Sequence, residues 1–354
     1  MNAAPLLLLI DDDPDQTARL TENLSGILDR TGAVLEVIHP GKDDSTRDLL
    51  DRILVMRPTL VVTDHDLTAQ GPAGLMGDTI IAWCRTNAIP VGDYSRKLEA
   101  DLEEPDIFEF RFSKEADQAA PQIAELLLGF HALAKLVAAK PDAGESWSNR
   151  LADLLGHPDA AASFSLYSAR TGATHGTVID RLEKRYGDAA KDMLANYVLG
   201  HLLKNGILRY PGPLMGAVEL CSYLAISDSH ADSIGKHFTA ARYSGPFGSI
   251  EEFFWHEEVD SILVDLAEAQ GKLDGDIDDD RHRRAILASI LEPGLHACNR
   301  CGGERGGYRC PYTERTVCNR ADCSVPTSSW IPPGAYLTRV EKDYYDQWSP
   351  LLGL

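Results

Sequence analysis

The segment Leu60-Val61-Val62-Thr63-Asp64 constrains the fold more than any other. Four apolar or β-branched residues run into a carboxylate, and a glycine-rich loop follows. A continuous apolar run is buried on both faces, as in the central strands of a parallel sheet. Leu6-Leu7-Leu8-Leu9-Ile10 has the same character and ends in Asp11, Asp12 and Asp13. In open parallel sheets, ligands gather outside the carboxyl ends of the strands. Two strands that both end in acids there predict a pocket for a divalent cation.

The surrounding pattern extends these two strands into a domain. Pro14 can open a helix over residues 14–30, with Leu20, Leu24 and Leu28 at helical spacing. Residues 34–38 read as a second strand and 46–56 as a helix. After the 60–63 strand come a helix over 78–86 and a short fourth strand from Ile89 to about Tyr94-Ser95. A fifth strand over 107–112 and a closing helix over 116–134 complete the series. Strands that alternate with helices predict a doubly wound, five-stranded parallel α/β sheet of flavodoxin-like type.

At this point residues 1–135 resemble the receiver domain of bacterial response regulators. The family's acid pair after the first strand falls on Asp11 and Asp12, and its phosphoacceptor at the end of the third falls on Asp64. Its hydroxyl after the fourth strand falls on Ser95, in Ile89-Pro90-Val91-Gly92-Asp93-Tyr94-Ser95. Its lysine after the fifth falls on Lys114, in Phe110-Arg111-Phe112-Ser113-Lys114. The resemblance implies Mg²⁺ held by Asp11, Asp12, Asp64 and the carbonyl of Asp66. It implies a covalent aspartyl phosphate on Asp64, with Lys114 and Ser95 contacting the phosphoryl oxygens. The implied partner is a histidine kinase or another phosphodonor. Mg²⁺ suits this chemistry because a carboxylate attacks an anionic phosphoryl donor only when the repulsion is neutralised. The sequence departs from the family at Glu115, where proline is usual, and at Gly92-Asp93, where apolar strand residues are usual. The loop over 68–76 is longer than usual, and residues 98–106 are rich in acids where the fourth helix is expected.

The remaining 200 or so residues carry no such likeness. Residues 145–295 are expected to form a helical output domain: a long amphipathic helix over 177–205 ended by Gly206, an apolar segment over 216–226, and helices over 228–243, 249–268 and 279–291. No basic recognition helix of helix-turn-helix type is present. His201, His230 and His256 sit in apolar surroundings and are expected to be packed in the core. The acidic segment 274–279 fails as a calcium loop, since its sixth position is Asp279 and its twelfth is Ala285.

Five of the seven cysteines fall between Cys298 and Cys323. Cys298 and Cys301 are separated by two residues and followed by two glycines, so both thiolates can reach one ion around a tight turn. Cys318 and Cys323 offer a second pair. Residues 296–354 are therefore expected to be a small zinc-binding module with an aromatic tail. Zn²⁺ would be held by Cys298, Cys301, Cys318 and Cys323, with Cys310 or His296 as a possible substitute ligand.

The formal net charge of -20 argues against a polyanion partner for the whole chain, because phosphate backbones need a basic face. The basic residues nearest to a patch are Arg281, Arg283 and Arg284, then Arg300, Arg305, Arg309, Arg315 and Arg320. No apolar run approaches the roughly 20 residues of a spanning helix, so no membrane association and a cytoplasmic location are expected. The function expected is phosphorylation-controlled signalling read out through a protein partner of the output region. Two rivals stand beside it: a receiver-regulated enzyme with its catalytic centre in residues 140–354, and a scaffold whose pseudo-receiver is not phosphorylated.

Overall fold

A computed structural model describes residues 4–94, 108–113, 115–140, 146–168, 184, 191–272, 275, 279–291, 297–303, 307–326 and 331–349. The chain forms two compact units. The first comprises residues 1–144, 171–201 and 245–250, and the second residues 145–170, 202–244 and 251–354.

The first unit is built on a five-stranded parallel sheet of order β2-β1-β3-β4-β5: β1 (Leu6–Ile10), β2 (Val34–Ile38), β3 (Leu60–Asp64), β4 (Val91–Tyr94) and β5 (Phe110–Phe112). The order reverses between β1 and β3, which places a crevice at their carboxyl ends. Helices α1 (Pro14–Thr31), α2 (Thr46–Met56), α3 (Gly77–Thr86) and α4 (Ala116–Ala139) connect or close the strands. Residues Leu8, Ile10, Val61 and Val91 pack with Leu49 and Ile53 of α2 and Ile80, Ile81 and Cys84 of α3. Leu7, Leu9, Leu60 and Val62 alternate with them on the opposite face and are fully buried. Asp13 starts α1 by accepting from the backbone N–H groups of Asp15 and Gln16, and Gly32 ends it at φ 69°.

The short fourth strand has a packing reason. A Cβ on Gly92 would lie 2.5 Å from the Phe112 ring and 2.9 Å from the Phe110 Cβ and carbonyl oxygen, so glycine lets β5 and the Phe112 ring pack this closely on β4. β5 is shorter than expected, although Phe108, just before it, is fully buried. Helix α4 corrects two expectations. It runs five residues beyond 134, and it is long and apolar enough to cross a membrane by length and composition alone. Half of that window is buried inside the protein, the pattern of a core helix. Helix Lys191–His201 belongs to the same unit, and its Tyr197 stacks on Phe108 at 5.1 Å. His201, expected in the core, is fully buried among Phe108, Phe110 and Phe130.

The second unit is less helical than expected. β6 (Leu214–Gly216) pairs antiparallel with β7 (Phe253–Trp255). The aromatic run Phe253-Phe254-Trp255 prefers extended backbone, so the segment predicted as one helix over 249–268 is a strand followed by helix His256–Ala269. The helix predicted over 228–243 is broken into Asp228–His230, Ala231–Ile234 and Thr239–Ala241. Gly206 does not end a helix; it lies inside the π-turn Leu202–Ile207. The part of the 177–205 expectation before Lys191 lies, but for Lys184, outside the described residues. The core combines Met215, Leu220, Leu224, Ile234, Phe238, Phe254, Val259 and Leu263. His230 is only half-buried, against expectation, and His256 donates to or accepts from the Tyr336 hydroxyl at 2.9 Å. Arg283, one of the residues nearest to a basic patch, is buried with its guanidinium 4.5 Å from the centre of the Tyr223 ring.

Candidate metal centres

Asp11 and Asp12 follow β1 directly, and Asp64 is the last residue of β3. Parallel register carries both strand ends to the same edge, with Ile10 paired to Thr63. One carboxylate oxygen from each of Asp11, Asp12 and Asp64 lies within 4.8 Å of the others. Asp11 and Asp12 are buried and Asp64 half-buried. This is an all-oxygen donor set, the chemistry that holds a hard divalent cation.

Each acid is also held by the protein. Asp11 Oδ1 accepts the Asp13 N–H at 2.7 Å, and its Oδ2 accepts the Tyr94 hydroxyl. Asp12 Oδ2 accepts from the backbone N–H groups of Gln70 at 2.6 Å and Gly71 at 3.2 Å. Asp64 Oδ1 accepts the His65 N–H at 2.7 Å. Two glycines make this loop geometry possible. A Cβ on Gly71 would sit 2.2 Å from the Leu67 carbonyl oxygen, and one on Gly77 would sit 2.3 Å from that of Asp64.

Burial pushes the Asp11 carboxyl above its ordinary range. The hydrogen bonds from Tyr94 and Asp13 counter this in part, and the neighbouring charges of Asp13 and Asp12 add to it. The Tyr94 hydroxyl is pushed up as well, by burial first and then by the Asp11 charge. A cation at this edge would relieve the mutual repulsion of the three acids.

The ligand expected from Asp66 is its backbone carbonyl, and its side chain is not one of the three clustered acids. Its carboxylate accepts from the Thr68 N–H at 3.1 Å and hydroxyl at 2.6 Å. Ser95 and Lys114 lie outside the described residues. Tyr94, Gln70 and Gly71 escaped sequence reasoning. Tyr94 carried a usable signal, because in parallel register it pairs with Asp64 and shares its face of the sheet. Asp93, one residue earlier, points to the other face. It is buried 3.8 Å from Arg111. Burial raises its carboxyl, and the charges of Arg111 and His65 oppose the rise.

The second centre lies in the cysteine-rich segment. One hairpin joins β8 (Tyr308–Arg309) and β9 (Thr316–Val317), and another pairs β10 (Ser324–Val325) with β11 (Val340–Glu341). Cys318 follows β9 and Cys323 precedes β10. The Cys298-to-Gly303 turn closes with Gly302 N–H on the Cys298 carbonyl and Gly302 at φ 63°. The thiols of Cys298, Cys301, Cys318 and Cys323 all lie within 4.8 Å of one another, with Cys301 and Cys318 sulfurs 3.9 Å apart. Tetrahedral metal–sulfur bonds of about 2.3 Å require sulfur separations of about 3.8 Å, so the four can hold one ion.

Backbone donors already point at these sulfurs. Gly303 N–H faces Cys301 Sγ and Cys318 N–H faces Cys298 Sγ, both at 3.4 Å. Burial works against the Cys298 thiolate, yet backbone donors including that of Cys318 outweigh it and bring the thiol down to about 7. Burial instead pushes Cys318 and Cys323 up. Cys310 is buried in the β8–β9 hairpin and is not in the group, and His296 lies outside the described residues.

Four arginines of this segment are paired with acids. Arg300 meets Asp343, Arg309 meets Glu219 and Glu314, Arg315 meets Glu341, and Arg320 meets Asp322. The aromatic tail is strapped onto the segment by β11 and by Tyr344 stacking on Tyr312 at 5.0 Å. Set against models of known protein families and against curated proteins, the chain matches none.

Proposed function

We propose that the chain is a response-regulator-like signalling protein phosphorylated on Asp64. The observation that carries this reading is the meeting of Asp11, Asp12 and Asp64 at the carboxyl edge of a parallel sheet, beside its topological switch. Mg²⁺ fits the donor set, and when bound it would neutralise the charge between carboxylate and phosphoryl group. An Asp64 oxygen would attack phosphorus, and the donor's leaving group would depart with the bonding electron pair. Asp11 and Asp12 would hold the cation, while Ser95 and Lys114 keep the roles that the resemblance assigns them. The four-cysteine centre fits Zn²⁺ in a closed, structural role, since all four positions of a tetrahedron are filled by protein sulfur. The acid-paired arginines support a protein partner over a nucleic acid for the output.

One observation favours a pseudo-receiver scaffold as second reading. Asp11 and Asp12 are both engaged by internal donors, as if the protein replaced the cation. Fluorine NMR with beryllofluoride and Mg²⁺ separates the two. A bound beryllofluoride signal that vanishes in Asp64→Asn supports the phosphorylated reading. No bound signal in the wild type overturns it.

A further inference from the structure

We infer that Tyr94 is a gate on the acidic edge: its hydroxyl occupies Asp11 and must be displaced for a cation to bind there. This rests on reading Asp11, Asp12 and Asp64 as a Mg²⁺ site. The Tyr94 side chain is 3 % exposed at the end of β4, beside Asp64 in register. A buried phenol needs a partner for its proton. That proton goes to Asp11 Oδ2. The Gln16 side chain on α1 is a further hydrogen-bond partner of the same hydroxyl.

The consequence for metal follows from charge. Oδ1 of Asp11 carries the Asp13 N–H and Oδ2 carries the Tyr94 O–H. Each donor withdraws electron density from the carboxylate and weakens it as a ligand. A cation arriving at Oδ2 also meets the positive end of the O–H dipole. Tyr94 therefore lowers cation affinity until the cation drives the hydroxyl away, and it keeps the three acids apart in charge when no cation is present. Phenylalanine would fill the same space without the proton, so the hydroxyl's effect is separable from packing.

Calorimetric titration of the full chain with Mg²⁺ tests the gate in wild type, Tyr94→Phe and Gln16→Leu. Tyr94→Phe should bind about tenfold more tightly, the size of one hydrogen bond to a charged group. Gln16→Leu should shift affinity in the same direction by about threefold, since the hydroxyl is then held less firmly. Binding by Tyr94→Phe where the wild type shows none also supports the gate. Equal or weaker binding by Tyr94→Phe overturns the gate and leaves the Mg²⁺ reading standing. Absence of binding in every protein overturns both. Should Tyr94→Phe fail to fold, Gln16→Leu decides: tighter binding supports the gate and unchanged binding overturns it.

Discussion

Asp11 is where burial and charge conflict most openly. Its carboxyl is held above the ordinary value of 3.8 by desolvation. The folded chain therefore binds that proton more tightly than the unfolded chain. The resulting stability is complete below pH 3.8 and is lost as pH rises through the folded value. Cation-free protein should thus weaken on approach to neutral pH, and Asp11→Asn should not. Urea unfolding without divalent ions should show Asp11→Asn more stable at neutral pH by on the order of 1 kcal/mol. Mg²⁺ should stabilise only the wild type. A mutant less stable than wild type at neutral pH would contradict this. The three acids were legible in the sequence because each ends an apolar run. Gln70 and Gly71 were not, because their role is set by hydrogen bonds that join residues 58 and 59 positions apart, and Tyr94 could be read only through its strand register.

Elements followed the sequence where one period dominated. β1, β2 and α2 have the bounds that apolar runs and helical spacing predict, and β3 runs one residue further, to Asp64. The second unit misled because its apolar segments are short, and a short run does not distinguish a strand from a helix turn. Aromatic contacts filled places that periodicity could not assign. Helix Lys191–His201 approaches α4 so closely that a Cβ on Gly200 would lie 2.2 Å from the buried Phe130 ring. Gly200→Ala should therefore destabilise the chain by about 1–3 kcal/mol, the usual cost of overpacking, read as a lowered midpoint in thermal unfolding. A midpoint equal to wild type would show that the ring moves aside at no cost. In the cysteine-rich segment, β8 to β11 have two residues each and cannot hold themselves together. Chelation of a four-thiolate ion should release one metal per chain and the local fold with it, and Cys318→Ser should do the same. Native hydrogen-exchange protection in residues 307–326 after complete metal removal would contradict this.

At the scale of the molecule, the two units interleave along the chain, which no local pattern announces. The first unit takes residues 171–201 and 245–250 as well as its amino-terminal segment. Tyr197 and His201 pack against Phe108 and Phe110, and Phe247 meets Phe130 at 5.1 Å. A fragment of residues 1–140 would leave those rings uncovered. It should bind hydrophobic dye and unfold without the cooperativity of the full chain; a sharp transition at the full-length midpoint would contradict this. The central claim is that the acidic edge performs phosphoryl chemistry, and phosphosite mapping tests it most directly. The full chain is treated with acetyl phosphate and Mg²⁺, reduced with borohydride and sequenced by mass spectrometry. The account predicts a Mg²⁺-dependent phosphate adduct on Asp64, absent with chelator and in Asp64→Asn. No adduct on Asp64 at saturating Mg²⁺ would contradict it.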